Sequence, residues 1–177
     1  MDNSFFAYLE QLEVMVFFSG YPLLYAVTIF IAADHQLKRN FSRRIVRLLP
    51  FAYALVGTLY LGLQLKNLYP DYSVEKIKGS FQQPWLMSWA LLSVVFWIPS
   101  LGKKPVFSLV HSLVLFFFLA IELFVQLSPS ADKNTFRNDM KIYTVSLLLN
   151  LGAFAVIVFL FFLFAHLKKR LKYFARN

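Results

Sequence analysis

Five stretches of this chain are long and apolar enough to cross a lipid bilayer, and the fourth, 106–127, constrains the fold most. It reads VFSLVHSLVLFFFLAIELFVQL and carries one formal charge, Glu122. At about 1.5 Å per residue it reaches roughly 33 Å, enough for the hydrocarbon core. The other apolar stretches are 14–33, 46–65, 85–101 and 142–167. The expected fold is therefore all-α: a polytopic integral membrane protein, one transmembrane domain over 1–177 built as a bundle of five helices, with a basic tail at 168–177.

Composition agrees with lipid as the solvent. Hydrophobic residues make up 59 % and charged residues 15 %, against about 25 % charged in soluble domains. The absence of cysteine excludes thiol catalysis, disulfides and Cys-based metal sites. The net charge of +9 is read as loop bias and contact with anionic headgroups, not as nucleic-acid binding. The start, MDNSFFAYLEQLE, has acids and no Lys or Arg. That is the reverse of a signal peptide's basic region, so the first span is expected to be retained.

Orientation follows from the basic residues between spans. Lys38, Arg39, Arg43, Arg44 and Arg47, then Lys103 and Lys104, then Lys168, Lys169, Arg170, Lys172 and Arg176 fall on one side. The other side has half as many: Lys66, Lys76, Lys78, Lys133, Arg137 and Lys141. The bias puts the N-terminus outside and the C-terminus in the cytoplasm. Anionic-lipid contact is expected at Lys38, Arg39, Arg43, Arg44, Arg47, Lys168, Lys169 and Arg170. The tail reads as a surface helix on such lipid.

Several local signals bear on packing. Ser19-Gly20-Tyr21-Pro22 predicts a kink in the first span, because proline removes a backbone donor and crowds the preceding turn. Tyr21 and Tyr25 lie one turn apart on one face. Pro22-x-x-Tyr25-Ala26 and Pro50-x-x-Tyr53-Ala54 share a pattern too short to establish a repeat. Ala54, Thr58 and Gly62 form a small-residue stripe at i, i+4, i+8, suited to close helix packing inside the bundle. Trp85, Trp89 and Trp97 read as interfacial belts. The loop 66–83 is expected to hold a short surface helix beginning near Ser73, and 128–140 to be a polar loop. Asn40-Phe41-Ser42 matches a glycosylation acceptor but falls on the cytoplasmic side.

The candidate chemistry centres on span four. Glu122 stands on the order of 9 Å beyond the middle of its span. A carboxyl there faces protein or water, pairs, or is protonated. Ser108, His111, Glu122 and Gln126 share one helix face, split by apolar residues into two patches. Tyr143, Ser146 and Asn150 share a face of span five. The antiparallel arrangement suggests an intramembrane polar cluster of Glu122 and Gln126 with Tyr143, Ser146 and Asn150, with His111 in the separate inner patch. Interhelical bonding is the first role for this cluster, and a proton or cation site the second.

The histidines His35, His111 and His166 sit at unequal depths and share no i, i+3 or i+4 spacing, so no metal or haem is expected. Acids and bases too sparse for an interfacial active site argue against an enzyme. The chain thus reads as a non-enzymatic subunit or accessory protein of a larger assembly, in a bacterial inner membrane. Its partners are then lipids with anionic headgroups, other membrane subunits or copies of itself, and no cofactor or nucleic acid. The alternative is a homo-oligomeric ion or proton channel, or small transporter, using Glu122.

Overall fold

The computed structural model describes residues 3–34, 44–69, 84–126 and 133–174. It is all-helical, with no strand among the described residues. The elements are α1 (Asn3–Phe18), α2 (Tyr21–Asp34), α3 (Leu49–Leu68) and α4 (Pro84–Leu91). A 3₁₀ segment (Leu92–Trp97) follows, then α5 (Pro99–Gly102), α6 (Pro105–Gln126) and α7 (Lys133–Phe174).

Three helical stretches are long and apolar enough to cross a membrane: Gln11–Ala32, Arg44–Leu68 and Lys141–Leu171. Two shorter apolar helices accompany them, Pro84–Trp97 and Pro105–Ile121. Prolines set most of the starts. Pro22, Pro50, Pro84, Pro99 and Pro105 each occupy a first turn, where a missing N–H costs nothing and the fixed φ is already helical. Pro99 also holds Ile98 extended, at φ −69° and ψ 122°, which ends the 3₁₀ segment.

The expected kink in the first span is a full break. Ser19 and Gly20 form a turn between α1 and α2. Pro22 has no N–H for the Phe18 carbonyl, and the Gly20 N–H leaves the ladder for a partner on α7. Other boundaries move as well. Residues from Lys133 onward, expected as loop, already belong to α7, and α7 continues through the expected tail to Phe174. The proposed surface helix near Ser73 and the Asn40-Phe41-Ser42 triplet lie outside the described residues.

Helix α3 is the hub. It packs on the 3₁₀ segment and on α7, while α1 packs on α7 and α6 and α2 on α6. The approach to the 3₁₀ segment is close at Gly57, where a Cβ would collide with the Ser93 hydroxyl. The core is aromatic: Phe18, Tyr21, Tyr53 and Tyr60 are fully buried with Leu49, Val56 and Leu115 around them. Phe18 meets Tyr53 and Tyr60 edge-on at 5.6 and 5.5 Å, an arrangement that sets positive ring edges on negative faces. About half of the first two membrane-length stretches is buried by the rest of the chain, but only 17 % of the third.

Candidate functional site

Among the described residues, a cluster of buried polar side chains lies where α2, α3, α4 and α6 meet. Tyr53 on α3 places its hydroxyl 2.8 Å from His111 Nδ1 on α6. His111 Nε2 stands 2.9 Å from the Trp89 carbonyl on α4. A carbonyl only accepts, so Nε2 carries the proton and the neutral ring leaves Nδ1 to accept from the Tyr53 hydroxyl. Trp89 returns the contact: its indole N–H donates to the His111 carbonyl at 3.3 Å. The two rings stack nearly parallel, with centroids 4.8 Å apart and planes 3° from parallel. Phe96 and Tyr53 close the imidazole edge-on at 5.8 and 5.7 Å.

A second pair sits beside the first. The Tyr21 hydroxyl is 2.7 Å from Ser108 Oγ. Ser108 spends its own proton on the Pro105 carbonyl, so Tyr21 is the donor. The Tyr21 and Tyr53 rings touch at 4.4 Å. Every proton on these side chains has an acceptor, and Ser108 does not bond to His111. The arrangement therefore joins four helices by neutral, saturated hydrogen bonds.

Span five supplies a separate knot. Ser146 Oγ accepts the Gly20 N–H at 2.8 Å. Asn150 Nδ2 donates to the Phe17 carbonyl at 2.8 Å and to the Ser146 carbonyl at 2.8 Å. Two carbonyl partners fix which end of the amide is nitrogen. Asn150 Oδ1 has no partner among the described residues. These bonds replace the ladder bonds that the α1–α2 break gives up, as lipid-buried backbone requires.

This is not the grouping expected from the sequence. Ser146 and Asn150 come together with each other and with the break in the first span. Through Gly20 and Tyr21 they stand level with Ser108, and Glu122 is fourteen residues further along α6, about 21 Å by helical rise. The physical reason is register: α6 and α7 are antiparallel, but one slides far past the other. The side chains of Glu122 and Gln126 lie outside the described residues. Tyr143 lies beside Phe116, with ring centroids 6.3 Å apart. His111 is buried in the inner patch, with Ser108 on the same face.

The small-residue stripe divides. Ala54 is buried, whereas Thr58 accepts the Trp97 indole N–H at 2.8 Å and Gly62 is open, with nothing within 4 Å of where a Cβ would stand. Trp89, expected in an interfacial belt, covers His111. Arg44, Arg47, Lys168, Lys169 and Arg170 are exposed. Lys38, Arg39 and Arg43 lie outside the described residues.

Sequence reasoning passed over Tyr53 and Trp89 as partners of His111. The available signal was tyrosine in mid-span, since tyrosine in membrane helices concentrates at the interfaces. It also placed Glu13 outside the first span. In the structure Glu13 Oε2 accepts from Gln64 Nε2 on α3 at 3.1 Å, within a stretch long enough to cross. No group of three His, Cys, Asp or Glu among the described residues is arranged to hold a metal ion. No family model, curated protein or solved structure matches the chain.

Proposed function

We propose that the chain is a non-enzymatic, five-span subunit or accessory protein of a larger assembly in a bacterial inner membrane. Its N-terminus faces out and its C-terminus lies in the cytoplasm. One observation carries the reading. The most apolar of the three membrane-length stretches, Lys141–Leu171, is the one least covered by its own chain, while Tyr53, His111 and Trp89 inside the bundle are engaged with one another. A chain that commits its buried polar groups to holding helices together, and leaves its longest helix bare, is built to be packed against. Lipid supplies part of that cover and other subunits the rest.

The natural chain has no cysteine, so single-cysteine labelling tests the topology directly. A membrane-impermeant maleimide should reach Lys66→Cys and Lys141→Cys from outside, and Lys103→Cys and Lys169→Cys only after the membrane is opened. Labelling of Lys103→Cys and Lys141→Cys from the same side would mean that α6 does not cross, and five spans would fall.

The assembly itself is tested by purification in mild detergent followed by native mass determination. A foreign subunit at fixed stoichiometry is the expected result. A homo-oligomer with no other chain sinks the accessory reading. Ion flux through vesicles carrying wild type and Glu122→Gln then becomes the next measurement.

A further inference from the structure

Two flanks of the bundle present apolar lengths that do not match. The apolar helix Pro84–Trp97 combines α4 with the 3₁₀ segment. Its 8 α-helical and 6 3₁₀ residues rise about 24 Å together, against ~30 Å of hydrocarbon. Trp85 and Trp97 stand exposed at its two ends, about 21 Å apart along the axis. Exposed tryptophan at the ends of a membrane helix marks headgroup depth. By the same measure the apolar run 142–167 of α7 is about 39 Å long.

Contacts set the two lengths in register at one end. The turn between α5 and α6 meets α3 at Phe51, where a Cβ on Gly102 would stand 3.1 Å from the ring. Phe51 packs against the cluster of Leu48, Ala52 and Ile157, so Lys103 and Lys104, next to Gly102, lie level with Ile157. From there α7 runs on to Lys168, a rise of about 16 Å, and every residue from Phe159 to Leu171 is exposed. At a tilt of roughly 40°, the upper end for membrane helices, about 12 Å of that overshoot remains. Helix α2 overshoots the turn as well. Tyr21 bonds Ser108 on the first turn of α6, and α2 goes on through exposed Val27, Phe30 and Ile31.

We propose that the protein thins the leaflet on the Lys103 side of the bilayer. Phospholipid headgroups descend to Lys103 and Lys104 around the α5–α6 turn, while hydrocarbon beside α7 reaches as far as Lys168. Both lysines are exposed, and an ammonium held in hydrocarbon is costly. A lysine side chain reaches roughly 6 Å, so snorkelling alone does not close the step. A flat boundary at the lysines would instead leave Phe159, Phe161 and Phe164, all exposed on α7, in water. A bilayer meets a short apolar length by thinning, at modest cost. The proposal rests on Pro84–Trp97 and α7 both crossing, and goes beyond the assembly reading. It needs only the purified chain, so the absence of a foreign subunit does not bear on it.

The test is a depth measurement on single-cysteine variants of the full chain, spin-labelled and reconstituted alone in vesicles of dioleoyl phosphatidylcholine and dioleoyl phosphatidylglycerol. Lys103→Cys and Phe164→Cys both replace exposed residues, so neither disturbs the core. Collision rates with a water-soluble nickel complex and with dissolved oxygen read the depth of each label. Position 164 stands about 10 Å beyond the level of 103 along α7, yet its label should lie in hydrocarbon. Nickel collisions at 103 should be about fivefold more frequent or higher still. Equal nickel access at the two positions overturns the proposal, because the boundary is then flat and α7 ends in water. A label at 103 sealed from nickel overturns it too. Maleimide labelling of Lys66→Cys and Lys103→Cys from the same side would remove the short crossing itself, and the thinning with it.

Discussion

Gly20→Ala is expected to lower the thermal unfolding midpoint of the purified protein by about 5–15 °C. A Cβ at this position would stand 2.5 Å from the Leu147 nitrogen and 2.6 Å from the Leu147 Cα and the Ser146 carbonyl carbon. These are backbone atoms of another helix, so no rotamer change relieves the overlap. The break between α1 and α2 has to move away from α7 by nearly 1 Å. Such overpacking costs about 1–3 kcal/mol. The same displacement stretches the Gly20–Ser146 and Asn150–Phe17 hydrogen bonds, which in a membrane contribute ~0.6 kcal/mol each. The total of about 2–4 kcal/mol corresponds to the stated shift at 2–4 °C per kcal/mol for a chain of this size. Gly62→Ala is the control. Nothing lies within 4 Å of its Cβ position, and alanine gains about 0.5–1 kcal/mol of helix propensity over glycine. Its midpoint should hold or rise. If both variants melt together, α7 does not pack on the break.

His111→Ala is the second large effect, at about 3–4 kcal/mol. The imidazole is stacked on Trp89 and closed by Tyr53 and Phe96. Its removal leaves a hole among large rings, and truncations of large buried side chains to alanine cost about 3–5 kcal/mol. The hydrogen bonds are the smaller part. Tyr53→Phe keeps the ring and deletes only the hydroxyl bonded to His111, and should cost about 0.5–1 kcal/mol, near the average for a membrane hydrogen bond. Thermal unfolding of the two variants beside wild type decides the matter. Equal losses would place the energy in the proton pattern and not in the packing, and would reopen a proton-handling role for His111.

Much of the architecture was legible, because bilayer physics writes long apolar runs into a sequence. The runs at 14–33, 46–65 and 142–167 correspond to the three stretches of crossing length. Helix faces were legible too, since they depend only on spacing within one element. Ser108 and His111 share a buried face, as do Tyr21 and Tyr25. The break at Ser19–Gly20 announced itself through Pro22. What the sequence withheld was register between elements distant in the chain. Equal-depth counting paired Asn150 with Glu122, yet α7 is slid so that Asn150 meets Phe17. Nothing local to α6 or α7 fixes that slide, which is decided by the close approach at Gly20. The stacking of Trp89 on His111 was hidden for a similar reason, since it pairs residues of two different helices.

The 42-residue length of α7 has a mechanical consequence. The helix is gripped near its middle, at Ser146, Asn150 and Ile157, and is bare toward its C-terminal end. It is a lever with a fulcrum. A 10° rotation about that grip would swing the two tips, each some 30 Å away, by about 5 Å in opposite directions. Within the grip the same rotation would shift residues 146 and 157 by about 1.4 Å, so the tips would travel several times further than the contacts that hold the helix.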